Sequence, residues 1–550
     1  MVRARKFAWL AAMLALILLI SACSGNSNSD SSSAESESAA TTASGSKASD
    51  SSESEPTKEK ITLTFFDKNT GDQFNNPVAQ EITKRTGVTF EIQQPTGNPE
   101  EKLNLMLTSN DLPDLVLMDR RSDIVNKYIA AGALIPLNDL IEQYGSNITE
   151  MYGDVLNKSR YKDGNNYYLN NWYGMDPDPV WSINMRMDIL KEFGYGDKAM
   201  KGESFTQAEF VDLLRMFKEK YPQVNGKDAI PFTMNSDHMP TVVGTFKGMY
   251  GMKNYYEHDG KLELDVRHPR YLEMIKFVNG LQTEGLLDKE WAVNKTQIYD
   301  QKLTSERVFA SGGGLPSEAN RLLREQLGQD TDKQFYAFKI VAPDVDPSQT
   351  TYGPRSSLGW DAIGITVANK HPVETIKMMD FLVSEEGQYL LQWGLEGQHW
   401  DMADGKHTPR PEVIQGFKDN WNEFSKKTGI RKWTWFIKNG FGQDGTPYDL
   451  AAKYERDAIA THALVSMKDS TWDMAIYDNL GPVGGTPDAL VEQKVKDLVD
   501  KAFTTMTYAE STAELEQAYN KLISNLKANN AEKIEQVYTD NYVERVNLWK

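Results

Sequence analysis

Trp172 follows the amides of Asn170 and Asn171, Trp360 precedes Asp361, and Glu396, His399 and Trp400 share the run WGLEGQHW. An indole offers a flat apolar face and one N–H donor; a carboxylate or amide beside it exchanges hydrogen bonds once water is displaced. That pairing suits a ligand with flat C–H faces and many hydroxyls, and it requires no bond to be made or broken. Asp67, closing the apolar run ITLTFFD, adds an acceptor, and Arg186, where VWSINM meets the next helix, adds a planar fork of donors. Both have plainer readings, Asp67 as a turn residue and Arg186 in an ion pair with Asp188. The chain has 12 Trp, and Trp393, Trp400, Trp421, Trp433 and Trp435 crowd one stretch, where core packing is the ordinary role of such residues.

Bond-breaking chemistry has less to work with. Glu396 and Asp361 could serve as the two carboxylates of a secreted glycoside hydrolase. The sequence lacks G-x-S-x-G, H-E-x-x-H, a phosphate-cradling lysine loop and paired metal-binding cysteines. Many hydrolases lack all of these, so the absence weighs little by itself.

The elements that must position these residues alternate. ITLTFFD reads as a strand, NPVAQEITKRTG as a helix stopped at Gly87, and VTFEI as a second strand; PEEKLNLMLTSN and LPDLVLMD repeat the order. Strands and helices at this pace make parallel crossovers in an open sheet, whose ligands lie beyond the carboxyl ends of the strands, here at Asp67 and Asp119. YKDGNNYYLNNW reads as a hairpin turning at Asp163-Gly164, and VWSINMRMDILKEFGYG as a strand entering a helix that ends at Gly194. Thr206 and Glu209 form a capping box ahead of Phe210, Leu213, Leu214 and Phe217. GWDAIGITV returns to strand, HPVETIKMMDFLVSEEGQYLLQWG is a helix with Pro372 first, and residues 489–550 carry helical periodicity.

The amino end sets the compartment. Arg3, Arg5 and Lys6 precede a mostly apolar run from Phe7 to Ile20 and the small pair Ser21-Ala22, the layout of an export signal over residues 1–22. The run is shorter than the roughly 18 to 20 residues that span a bilayer. Cys23, the chain's single cysteine, follows directly, and Ser24 to Pro56 contains no Val, Ile, Leu or aromatic residue. Such a segment has nothing to bury against its ordering entropy, so residues 23–59 are expected to form a disordered leash. The remaining body exceeds what one core organises and points to two lobes. A net charge of −18 disfavours a nucleic acid partner.

The lipobox-like Ile20-Ser21-Ala22-Cys23, the serine leash, and the segments DGNNYYLNNW, VWSINMRMDILKEFG, FASGGG, GWDAIGIT, HPVETIKMMDFLVSEEGQ and WGLEGQHW occur in that order. Together they resemble the extracellular solute-binding proteins of carbohydrate ABC importers in Gram-positive bacteria, the large LipO/LplA-like lipoproteins related to alginate-binding proteins. The resemblance implies an α/β fold of the type II periplasmic-binding-protein-like kind, with two lobes, a ligand cleft, crossing hinge segments and a helix-rich second lobe. It divides the body into a first lobe over 60–185, the main part of the second over 186–355, and mixed crossing segments with carboxyl-terminal helices over 356–550. It also implies lipidation at Cys23, a place on the outer face of the cell membrane, and a monomer that hands a sugar or oligosaccharide to ABC permease subunits. The ligand contacts expected on these grounds are Asp67, Asn170, Trp172, Arg186, Trp360, Asp361, Glu396, His399 and Trp400. A receptor for peptides would share much of this layout, though the mixture of aromatic and polar residues fits sugars better. No cofactor is expected. Alginate-binding relatives carry a calcium loop, but the comparable YPQVNGKDAIPF keeps only Asn225 and Asp228 as clear donors, where a calcium ion wants six to eight oxygens.

Cys23→Ala should leave ligand binding unchanged and release the protein into the medium, read by fractionating cells; retention at the membrane would contradict the anchor.

Overall fold

A computed structural model describes residues 60–329 and 331–550, so the expected leader, Cys23 and the serine tract lie outside the described residues. The opening strands form as the apolar pattern requires: β1 (Ile61–Asp67), β2 (Val88–Gln93) and β3 (Leu115–Asp119) are parallel, with β1 between the other two. The helix Pro77–Thr86 connects β1 to β2 and buries Val78, Ala79 and Ile82 against them. Asn76 caps its first turn, and Gly87 ends it in the left-handed conformation.

Two further strands complete the first sheet from far along the chain. β4 (Leu169–Asn171) and β9 (Asp361–Ile365) give the order β2-β1-β3-β9-β4, β9 running antiparallel to both neighbours. The expected hairpin at Asp163-Gly164 is therefore corrected. The turn exists, with Gly164 N–H donating to the Tyr161 carbonyl, but β4, buried throughout, pairs with the equally buried β9.

A second sheet has the order β8-β5-β7-β6, built from β5 (Ser182–Arg186), β6 (Ile230–Met234), β7 (Val308–Gly313) and β8 (Phe335–Phe338). The chain leaves the first sheet at Asn171 and enters the second at Ser182, so β5 lies wholly in the second and spans residue 185. Each sheet has its own core. Phe65, Leu117, Ile363, Trp393 and Trp435 belong to one, whereas Phe210, Phe232, Phe246 and Phe309 belong to the other, together with Val495, Met506 and Leu522 of the carboxyl-terminal helices. The capping box at Thr206 and Glu209 forms as read. The helix begun by Pro372 divides into Pro372–Val383 and Glu385–Trp393, because Ser384 leaves helical geometry and caps the second piece.

Three segments cross between the sheets: 172–181, 342–360 and 438–457. Asp176 and Asp178 lie on the first. Lys453 reaches Asp176 at 2.8 Å, Arg456 forks onto Asp178 at 2.8 and 2.9 Å, and Arg355 stands 3.6 Å from Asp176. All three crossings are thus joined by charge, in a partly buried setting where such pairs are less screened than at the surface.

A buried ammonium organises the second lobe. Lys302 Nζ lies 2.8 Å from Asp288 Oδ2, 2.7 Å from Asn294 Oδ1 and 3.0 Å from Glu290 Oε2. Burial by itself would raise the Asp288 carboxyl; hydrogen bonds from Lys302, Asn294 and Thr233 outweigh it and hold the group below its ordinary value. Lys302→Ala should lower the unfolding free energy by about 3 to 5 kcal/mol, measured by urea titration, because a buried carboxylate is left uncompensated. The stability that Asp288 contributes is present above its unfolded pKa of 3.8 and lost as pH falls through the lower folded one. That acid-side loss should shrink in the variant.

Candidate functional site

The register of the first sheet places chemistry at one edge. Asp361, the first residue of β9, pairs with Asp119 at the end of β3 and with Asn171 at the end of β4. Lys68, one residue past β1, reaches across to hold Asp361 Oδ1 at 2.8 Å. Burial raises the Asp361 carboxyl above its ordinary value, and Lys68 offsets only part of this. Asp67 is buried as well. Its two oxygens accept from the Trp435 indole N–H and the Asn69 backbone N–H, each at 2.8 Å, so its acceptor capacity serves the protein first. Burial leads the upward shift of its carboxyl too, against these two hydrogen bonds.

Trp360, immediately before Asp361, stacks on Trp172 with ring centroids 5.5 Å apart and planes 15° from parallel. Trp172 is buried whereas Trp360 is 38% exposed, so the pair presents one open aromatic surface backed by a closed one. Behind it the Arg431 guanidinium lies 5.2 Å from the Trp172 ring and 4.9 Å from that of Trp421. Arg431 is held flat by a fork onto Asp449, both contacts at 3.0 Å. The result is a ladder, indole on indole on guanidinium on indole, whose outer rung is Trp360.

Close backbone approach makes the ladder possible. Gly359 has φ +65°, and a Cβ there would meet the Asn171 carbonyl oxygen at 2.0 Å and the Trp172 carbonyl carbon at 2.8 Å. Arg120 fixes the turn by donating from Nε and Nη2 to the Gly359 carbonyl at 3.1 and 2.7 Å. Trp172 and Arg431 also hold left-handed backbones, φ 60° and 56°. Strain of that kind persists only where surrounding structure overdetermines it.

The second sheet carries a candidate set of its own. Beyond the carboxyl ends of β6 and β7 lies a cavity of about 370 Å³ lined by Trp181, Asn235, His238, Thr241, Tyr299 and the glycines 312–314. Trp181 lies flat on the helix Met239–Met249 at Gly244, where any Cβ would stand 2.1 Å from its ring. Trp181 and Lys68 are site residues that the sequence reading missed. Each had a signal: Lys68 adjoins Asp67, and a glycine inside an apolar helix marks close packing.

The remaining expected contacts are placed otherwise. Asn170 is wholly buried, donating to the Leu358 carbonyl at 2.8 Å and accepting from Ser159 at 2.6 Å, so it braces the approach to Trp360 from behind. Arg186 is corrected: it closes β5 at the end opposite Ser182 and Gly313, and its guanidinium is taken up by Asp188 and the Glu306 carbonyl. In the loop after helix Glu385–Trp393, the Trp400 indole N–H donates to the Gly394 carbonyl at 3.0 Å and His399 Nδ1 accepts from the Leu395 N–H at 2.9 Å, while Glu396 points to solvent. Burial, then Arg410, lowers the His399 pKa. Among the other crowded indoles, Trp393, Trp433 and Trp435 are core. The comparable stretch to the calcium loop folds as a tight hairpin, Gln223–Val224 against Lys227–Asp228, turned at Asn225 and Gly226.

Comparison with known proteins gives the family and the fold. Residues 67–389 match the family described as bacterial extracellular solute-binding protein. The fructooligosaccharide ABC transporter substrate-binding protein FusA of Streptococcus pneumoniae serotype 4 is 28% identical over 276 residues, 45% of this chain and 49% of that protein. Lipoprotein LipO of Bacillus subtilis is 24% identical over 356 residues, 60% of this chain and 66% of that protein. The alginate-binding protein AlgQ2, solved without calcium ion, superposes with a TM-score of 0.62 at 22% identity, covering 88% of this chain and 99% of that one. The match thus spans about half to two-thirds of the curated relatives' length. The chain belongs to the bacterial extracellular solute-binding proteins, a family of binding proteins and not of enzymes, and its fold is the two-lobed α/β arrangement of the type II periplasmic-binding-protein-like kind.

Gly359→Ala should destabilise the protein by more than the roughly 1 to 2 kcal/mol that a left-handed side-chain-bearing residue costs, because the clash with Asn171 adds to it. Near-ultraviolet circular dichroism should show the stacked-indole signal diminished, and an unchanged spectrum would contradict the close approach.

Proposed function

We propose that this chain is an extracytoplasmic solute-binding lipoprotein that captures a sugar or oligosaccharide and delivers it to the permease of an ABC importer by closing its lobes. The single observation that carries the reading is the exposed Trp360 face, backed by Trp172 and flanked by the Lys68–Asp361 pair. A pyranose or furanose ring lays its C–H face on an indole while its hydroxyls exchange hydrogen bonds with a carboxylate and an ammonium. The cavity at the second sheet supplies Trp181 and neutral polar groups, Asn235, Thr241 and Tyr299, for the far side of the ligand. FusA, named for fructooligosaccharide, supports this class of solute.

Capture works through the hinge. A micromolar affinity corresponds to about 8 kcal/mol, and the part of it realised only when both lobes touch the ligand shifts the open–closed equilibrium. The three crossing segments, tied by Asp176 and Asp178, are where backbone rotation has to be absorbed. Closure then presents both lobes together to the permease subunits. Cys23, modified by lipid, would hold the receptor at the outer face of the membrane; the similar LipO is named a lipoprotein, and among the described residues no helix is long and apolar enough to cross a membrane. Hydrolysis finds no carboxylate pair in Asp361, held by Lys68, and Glu396, on an exposed loop.

A thermal-shift and calorimetric panel of intact oligosaccharides should give stabilisation without products. Trp360→Ala should weaken binding by about 1 to 3 kcal/mol, roughly 5- to 150-fold, if ring stacking carries it. Equal affinity of the variant would remove the plate from the site, and appearance of cleaved sugar would overturn the receptor reading.

A further inference from the structure

The chain as a whole is acidic, with 60 Lys and Arg against 78 Asp and Glu. One cavity reverses that balance. It holds about 450 Å³ between helix Ile124–Ala130, residues 158–168 and the last helix, Ala531–Leu548, and its walls carry Arg120, Lys127, Lys158, Arg160, Lys162 and Arg545 against only Asp478 and Glu544.

The acids do not neutralise this set. Asp478 Oδ2 is occupied by Arg120 at 2.6 Å and by the Ser356 hydroxyl at 2.5 Å. Lys127 and Lys158 have partners on their own helices, Asp123 at 3.4 Å and Asp154 at 2.8 Å. Arg160, Lys162 and Arg545 have no carboxylate oxygen within 4.0 Å among the described residues; Arg160 donates to Asn157, Lys162 lies over the Tyr161 ring, and Arg545 engages only Nη1, on two backbone carbonyls. The Tyr168 hydroxyl, close enough to Arg120 and Arg545 to feel both charges, makes no hydrogen bond within the protein among the described residues. Unspent donors therefore line the cavity from the first lobe and from the carboxyl-terminal helix.

The walls are also flat and apolar in part. The Trp549 indole N–H donates to the Lys158 carbonyl at 3.0 Å and the Lys158 ammonium lies 5.5 Å from its ring, so the end of the chain is docked onto the first lobe at the cavity mouth. Tyr161, Ile129 and Leu548 continue this surface. The volume lies within the roughly 300 to 1,000 Å³ usual for small-molecule sites.

We propose that this cavity is a second ligand site, distinct from the Trp360 plate, that takes a small organic phosphate dianion with a flat or apolar body. Cations arriving from more than one side favour a charge above one, guanidinium forks match phosphate oxygens, and a phenol adds a neutral donor. The same Arg120 that lines the cavity holds the Gly359 carbonyl behind Trp360, so the two sites share a wall. The phosphate could belong to a soluble metabolite or to a lipid headgroup, and the proposal does not depend on which solute the plate binds.

Calorimetry of the full chain with phenyl phosphate at low ionic strength is the test, with phenol as the uncharged control and anionic phosphatidic acid vesicles as the second arm. We expect a saturable one-site isotherm for phenyl phosphate, none for phenol, and at least a tenfold loss of affinity in the double variant Arg160→Glu, Lys162→Glu, whose exposed side chains leave the melting temperature unchanged. Arg545→Met should abolish binding; should it fail to fold, the double variant decides alone. Vesicle binding that phenyl phosphate displaces would place the phosphate on a lipid, and absent vesicle binding would place it on a soluble molecule. No saturable heat with phenyl phosphate, equal affinity in the double variant, or vesicle binding that phenyl phosphate leaves undisturbed would overturn the proposal.

Discussion

Strand β9 enters the first sheet between β3 and β4 after the chain has built the second sheet, and its pairing of Asp361 with both Asp119 and Asn171 is the contact on which the rest of the site depends. That return covers the open edge of β3, supplies the buried Ile363 and Ile365 to the first core, and begins with Gly359 and Trp360 against the backbone of Asn171 and Trp172. If β9 were one residue out of register, Asp361 and Ala362 would exchange faces and the stacked indoles would separate. Hydrophobic burial along the strand thus sets the position of the buried Asp361 at its start and of the partly exposed Trp360 just before it.

The electrostatics follow the same order of cause. Carboxylates at the edge of the first sheet are buried by the sheet and are tolerated because each is engaged: Asp67 by an indole and a backbone N–H, Asp361 by Lys68. In the second lobe the buried charge is an ammonium, Lys302, caged by three oxygens. The crossing segments are handled differently. Asp176 and Asp178 are paired with cations from the other two crossings in a partly buried place, so charge ties the crossings to one another.

Arg120 links these themes. Its guanidinium is buried, pairs with Asp478, and through Nε and Nη2 also donates to Ser356 and the Gly359 carbonyl. It therefore joins β3, the returning crossing and the loop before the carboxyl-terminal helices in one polar knot. The plate on one side and the basic cavity on the other are both fixed by that knot, which is why the carboxyl-terminal helices, free of obvious chemistry in sequence, still bear on the site.

Periodicity and capping residues were enough to read the strand–helix alternation of residues 61–119, the Thr206–Glu209 box and the carboxyl-terminal helices, because each depends on contacts within a few residues. Trp172, Trp360 and Asp361 could be singled out from residue type and neighbours together with the segments that the family resemblance puts near the cleft. The false hairpin at Asp163-Gly164 and the expected role of Arg186 show where local reading ends: a turn signal does not name the strand's partner, and a fork of donors does not say which acceptor is nearer. Lys68 holding Asp361, Arg431 beneath Trp172 and the basic cavity join residues up to several hundred positions apart. Sequence by itself determined what each segment could become, since helix, strand and cap are short-range physics; only tertiary structure decided which side chains meet, since that depends on how two cores bury their apolar faces.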